Sequence, residues 1–146
     1  MRKIIIAALL ALGLAGCATT AHHGNYAPPT TKGGQQKLAR EAVQQLVTLY
    51  PPAKTRLELQ QATPDAFGQA MVPALRESGY ALLESNTGPS KAQASAAALP
   101  LRYVLDQAGE SNLYRLTLLV GNQSISRPYL VQDGIFVPAG YWAHRE

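Results

Sequence analysis

"LRYVLDQAGESNLYRLTLLVGNQSISRPYLVQDG", residues 101 to 134, carries the pattern that decides the fold. Leu101-Arg102-Tyr103-Val104-Leu105 is one largely apolar run, Leu113 to Val120 is a second, and Ser124 to Val131 is a third in which Ile125, Tyr129 and Val131 keep a two-residue phase. The runs are separated by "QAGESN", "GNQ" and "DG", all rich in residues that favour turns. Period-two alternation bounded by such clusters predicts strands at short spacing, folded back on one another as a meander. Asp133-Gly134 suits a tight hairpin, so Ile135-Phe136-Val137 is expected to add a short last strand.

Upstream the period changes. Leu38, Ala42, Leu46 and Leu49, joined by Val43, Val47 and Tyr50, recur at three- and four-residue spacing. They predict an amphipathic helix from Gln35 to Tyr50, ended by Pro51-Pro52. "TRLELQ" then alternates Leu57 and Leu59 with polar residues and reads as a short half-buried strand. Thr63-Pro64-Asp65 predicts a helix start: the Thr63 hydroxyl caps free amides, Pro64 takes the first helical position and Asp65 suits the positive end. This helix is expected to reach about Ser78, with Phe67, Ala70, Met71, Ala74 and Leu75 inward, a kink at Pro73 and Gly79 in the left-handed position after the last turn. "YALLES" reads as a strand and Asn86 to Ala98 as a low-complexity loop. The expected fold is α+β, one domain over residues 36–146, with two helices packed on one face of a mainly antiparallel sheet of four to five strands.

The amino-terminal region has a different character. Arg2 and Lys3 precede the apolar stretch Ile4 to Leu12, followed by small residues, which is the order of an export signal. The apolar part is too short for a permanent transmembrane helix, which takes roughly 20 residues. Leu14-Ala15-Gly16-Cys17 resembles the bacterial lipobox and holds the only cysteine in the chain. A single thiol cannot pair within its own chain. Residues 1–16 are therefore expected to be removed, and Cys17 to carry a diacylglyceryl group on sulfur and an acyl chain on its new amino terminus. No other cofactor is expected. Residue 18 is Ala rather than Asp, a resemblance to lipoproteins sorted to the outer membrane, periplasmic side. Residues 17–35, rich in Ala, Thr, Gly and Pro, are expected to form a flexible tether spanning about 20 to 25 Å.

The charge bears on one class of partner. The formal net charge is +4, and loss of Arg2 and Lys3 with the signal leaves 11 Lys and Arg against 9 Asp and Glu. So small an excess, without a dense basic run, gives no reason to expect direct nucleic-acid binding.

Catalytic and metal chemistry find little support. His22 and His23 lie in the expected tether without a second ligand pair at zinc-type spacing, so no metal site is expected. His144 alone remains for a hydrolase, in the polar tail "AHRE", with no nucleophile signature around it. Asp106 and Glu110 flank a turn, and Glu58, Glu77 and Glu84 fall at positions expected to face solvent. Gly33-Gly34 precedes a helix without the strand that a phosphate-binding loop requires. The chain is not expected to be an enzyme.

Arg127 stands out because it keeps phase with Ile125, Tyr129 and Val131 on the inward side of a strand. The favoured expectation is that it snorkels outward near the sheet end; the sharper one makes it the buried partner of an acidic group. Pro128 cannot donate to a ladder, so this strand is expected at an edge or a bulge, where peptide partners can add. Tyr141 and Trp142, near the free end, join Arg127 and Tyr129 as candidate partner contacts, with core packing the favoured role for Trp142.

The lipobox followed by "LAREAVQQLVTLYPPAKTRLELQQATPDAFGQAMVPALRESGYALLE", "LPLRYVLDQAGESNLYRLTLLVGNQSISRPYLVQDG" and "PAGYW" resembles the conjugal transfer lipoproteins called TrbH. The resemblance covers nearly the entire mature chain, including Pro51-Pro52, Thr63-Pro64-Asp65, Gly79-Tyr80 and Gly140-Tyr141-Trp142. It implies a part of the apparatus for mating-pair formation, a type IV secretion channel that moves plasmid DNA between cells. Its partners would be the channel's core subunits and, through the lipid, the outer membrane. The alternative is a periplasmic binding module for cell-wall glycan or a small ligand.

Overall fold

The computed structural model describes residues 22–28, 30–84 and 97–146. The expected export signal, Cys17 and most of the expected low-complexity loop lie outside the described residues. The described chain forms β1 (Gly24–Asn25), α1 (Lys32–Leu49), a 3₁₀ turn (Pro52–Lys54), β2 (Arg56–Leu59), α2 (Ala66–Glu77) and β3 (Ala81–Glu84). It continues through β4 (Ala98–Gln107), β5 (Leu113–Val120), β6 (Gln123–Gln132), β7 (Ile135–Pro138) and β8 (Ala143–Arg145).

The two helices appear where the apolar periodicity puts them, but the sheet is not the expected antiparallel one of four to five strands. Over the described residues it has eight strands in the order β3-β2-β4-β5-β6-β7, with β1 added to β4 and β8 added to β6. β2 pairs in parallel with both β3 and β4, and β1 pairs in parallel with β4. Only the half from β4 onward is antiparallel. The reason lies in the connections: parallel neighbours need a crossover, and α2 between β2 and β3 supplies one. A helix between two adjacent strands makes them parallel, whereas the hairpins after β4 keep the rest antiparallel.

Two short strands extend the sheet in tandem with longer ones. β1 lies beside Val104 and Leu105, past the point where β2 ends beside Leu101. Residues 24–25 and 32–35, expected in the tether, are thus part of the fold. On the other side, β7 pairs with Tyr129 to Gln132 and β8 with Ser124 to Ser126, both on the same side of β6. β6 is therefore an interior strand and not the expected edge. Pro128 falls in the gap between β7 and β8, where its missing donor leaves no ladder bond unmade; its carbonyl accepts from the Ala139 amide at 2.9 Å.

The core fills one face. Leu38, Ala42 and Leu46 of α1 with Phe67, Met71 and Leu75 of α2 cover Leu57, Leu101, Tyr103, Leu105, Leu116, Leu118, Ile125 and Tyr129, all essentially inaccessible to solvent. On the opposite face Arg102, Val104, Arg115, Thr117, Ser126, Leu130 and Ala143 are half-buried or exposed. Glu58, expected in solvent, is buried. Among the described residues no helix is long and apolar enough to cross a membrane.

Local chemistry fixes the helix ends. Thr31 caps α1, its Oγ1 accepting from the Gly34 amide at 3.1 Å and donating to the Gly134 carbonyl at 2.9 Å. Asp65, rather than Thr63, caps α2: its Oδ1 accepts from the Gly68 amide at 3.0 Å and its Oδ2 from the Tyr103 hydroxyl at 2.5 Å. Asp65 has the extended backbone a cap requires, with φ −87° and ψ 160°. Pro73 lies within α2 on its exposed side. Gly79 has φ +89°, as expected of a helix terminator, and Asp133-Gly134 turns with φ +52° and +74°, as a tight hairpin needs.

Candidate functional site

The four candidate contact residues, Arg127, Tyr129, Tyr141 and Trp142, come together where β6 meets the arch between β7 and β8. Arg127 faces the helices, as its phase in the strand requires, and does not snorkel away. Its Nη1 donates to Glu41 Oε1 of α1 at 2.6 Å, and its Nε donates to the Gly140 carbonyl at 2.8 Å. The Tyr129 hydroxyl donates to the same Glu41 oxygen at 2.9 Å. One guanidinium thus ties a helix, a strand and the arch. The acidic partner is Glu41, which no local pattern singled out as a partner.

The aromatic rings close the cluster. Arg127 Cζ lies 5.8 Å from the ring centres of both Tyr129 and Trp142, within the range for cation–π attraction. Trp142 meets Tyr129 edge-on at 6.5 Å, and Tyr129 meets Phe136 the same way at 6.3 Å. Burial pushes the Tyr129 phenol well above its ordinary range; the Glu41 carboxylate adds to this and Arg127 opposes it. Tyr129 is fully buried and Trp142 packs against the core, so neither is an open contact.

Tyr141 is the exception. It is 94% exposed, the most exposed large apolar side chain among the described residues. Its neighbours hold the backbone: Gly140 is fixed by Arg127, a Cβ on Gly140 would stand 2.9 Å from Pro128 Cγ, and Trp142 is packed. The result is a rigid arch that presents one aromatic ring to solvent. On the open sheet face lies a hollow of about 420 Å³ lined by Asp106, Leu113, Arg115, Ser126, Pro128 and Ala143. Arg115 Nη2 bonds Asp106 Oδ2 across its rim at 2.6 Å.

The residues considered for catalysis are dispersed. His144 sits exposed on β8, its Nε2 3.2 Å from Gln123 Oε1. Glu84 pairs with Arg76. Among the described residues no group of three His, Cys, Asp or Glu side chains could hold a metal ion. What the cluster can do is positional: it locks the carboxy-terminal arch to α1 and displays Tyr141.

Neither the curated proteins nor the solved structures include a match to this sequence. Residues 19–146 match the family model described as "Conjugal transfer protein TrbH", nearly the whole chain, and the protein therefore belongs to the TrbH family of conjugal transfer proteins.

Proposed function

We propose that this conjugal transfer protein is a structural component of a conjugative type IV secretion channel, anchored in the outer membrane by lipid on Cys17 and docked on other channel subunits. Support for the anchor comes from the order of charged start, apolar run and lipobox in residues 1–17. Two acylation signals on one residue hold a protein far more firmly than a single chain does. The observation that carries the docking reading is Tyr141, an aromatic ring 94% exposed on an arch immobilised by Arg127 and Trp142. Tyrosine is enriched at interface centres because it supplies much contact area while losing little conformational freedom. The exposed Leu113 and Leu130, directly opposite one another on the open face, offer further apolar area for a partner.

Extraction of the channel in mild detergent tests this. Wild-type protein is expected to co-purify with channel subunits, and Tyr141→Ala to lose them while remaining folded and in the membrane fraction. Undiminished co-purification of Tyr141→Ala would remove the docking surface. Retention on purified cell wall, in cells lacking the other channel proteins, would favour the glycan-binding alternative. Cys17→Ser is expected to move the protein from the membrane to the soluble fraction.

A further inference from the structure

We infer that the amino-terminal half of α1 seats the folded domain on the anionic headgroups of the membrane that holds the anchor. The inference rests on the lipid anchor proposed above and adds an orientation to it. Lys32, Lys37 and Arg40 are exposed on the outer side of α1 and make no ion pair among the described residues. At a rise of 1.5 Å per residue they occupy about 12 Å of helix. The one acid of α1, Glu41, lies at the margin of this surface, 22% exposed beside Lys37 and Arg40, and is paired with Arg127 and Tyr129. Arg127 balances its charge, so the outer surface of this half-helix keeps a net positive charge. A groove between α1 and α2 is lined by Lys32, Gln36 and Arg40 on one side and Gln69 and Glu77 on the other; the two glutamines add neutral hydrogen-bonding groups, and Glu77 is the single acid there.

Chain length argues for the membrane as the occupant. Only six residues, Ala18 to His23, separate Cys17 from β1, and these can span no more than about 25 Å however they are arranged. The sheet position of β1 thus keeps the domain within one small-protein diameter of the acylated residue. Lys32, Lys37 and Arg40 are also the first Lys or Arg residues after Cys17. A membrane carrying phosphate headgroups attracts each Lys or Arg at its surface, and three together give a preference of roughly a hundredfold over a neutral surface, decaying within a Debye length.

The test uses the full acylated protein, reconstituted into vesicles of phosphatidylcholine alone or mixed with phosphatidylglycerol. A water-soluble amine-reactive reagent is followed by peptide mass spectrometry. Lys32 and Lys37 are expected to react at least about tenfold more slowly on the anionic vesicles, with the difference lost in high salt. Lys54, exposed in the 3₁₀ turn at the other end of α1, serves as the reference and is expected to react alike on both. Acylated protein whose Lys32 and Lys37 react equally on both vesicle types would overturn the seat and leave the anchor standing. A mature amino terminus without acyl groups would overturn both.

Discussion

Arg127 Nη1 donates to Glu41 Oε1 at 2.6 Å, joining β6 to α1 across 86 residues of sequence. Both side chains are only about one-fifth exposed, at 20% and 22%, so the pair lies between a surface bridge and a fully buried one. Removing one partner strands the other. Glu41→Ala leaves the Tyr129 hydroxyl without its acceptor and Arg127 with the Gly140 carbonyl alone, a loss of about 2 to 4 kcal/mol. Arg127→Lys is expected to cost less yet still loosen the arch, because an ammonium lacks the fork that reaches Glu41 and Gly140 together. Urea unfolding of Glu41→Ala, Arg127→Ala and the double variant gives the coupling. A coupling under about 0.5 kcal/mol would class the pair with ordinary surface bridges and refute its role as a tie.

The phase of Arg127 with Ile125 and Tyr129 allows two readings, and the favoured one, a side chain that snorkels outward near the sheet end, is overturned by its bonds to Glu41 and Gly140. Glu41 also lies three residues after Leu38, on the flank of the apolar stripe, but a helix tolerates an acid there and nothing local pairs it with position 127. Helices and the meander were legible because their periods repeat over many residues. β1 and β8 were not, since "GN" and "AHR" have no apolar pattern and become strands only by pairing with β4 and β6. The parallel half is not legible in composition for another reason: strand, helix, strand in "TRLELQ" to "YALLES" is a crossover, and the direction of β3 follows from that connection. Glu58 alternates like a solvent-facing residue, yet its strand lies between β3 and β4 and is covered.

Adjacent glycines at the start of α1 should respond oppositely to a methyl group. Nothing lies within 4 Å of a Cβ placed on Gly33, whereas one on Gly34 would collide with the Gly134 carbonyl oxygen of the β6–β7 turn. Gly33→Ala is therefore expected to stabilise the protein by about 0.5 to 1 kcal/mol through helix propensity. Gly34→Ala should destabilise it by about 1 to 3 kcal/mol, since the helix start must move off the hairpin it caps. Thermal denaturation of the two variants side by side decides it: equal shifts would mean that the approach of Gly34 to Gly134 is not a structural constraint.

Alkaline pH should unfold the protein through its buried tyrosines. Burial raises Tyr80 to about 12 and pushes Tyr103 and Tyr129 higher still, with Asp65 and Glu41 respectively adding to the effect. Each phenol ionises near pH 10 in the unfolded chain. Above that pH the native state holds more protons than the unfolded state, so stability falls as pH rises; below it the contribution is complete and flat. Each such tyrosine should steepen the decline by about 1.4 kcal/mol per pH unit between its unfolded and folded values. Tyr103→Phe lowers stability at pH 7, because Asp65 loses a donor, but flattens the alkaline limb. Urea midpoints from pH 8 to about 11 check this, and an unchanged slope in Tyr103→Phe would contradict it.

Tyr141 and Trp142 are neighbours in sequence with opposite roles, and truncating each should separate stability from assembly. Trp142 packs on Tyr129 and under the Arg127 guanidinium, and its backbone leads directly into β8. Trp142→Ala should cost about 2 to 3 kcal/mol and loosen the pairing of Ala143 to Arg145 with β6. Tyr141 touches little, so Tyr141→Ala should stay within about 0.5 kcal/mol of the parent. If the arch is the docking surface, plasmid transfer falls sharply in Tyr141→Ala despite normal stability and abundance. In Trp142→Ala transfer falls only as far as the folded population does. Hydrogen exchange of the β8 amides and mating assays on the two strains give both readings, and normal transfer in Tyr141→Ala would move the docking surface elsewhere on the domain.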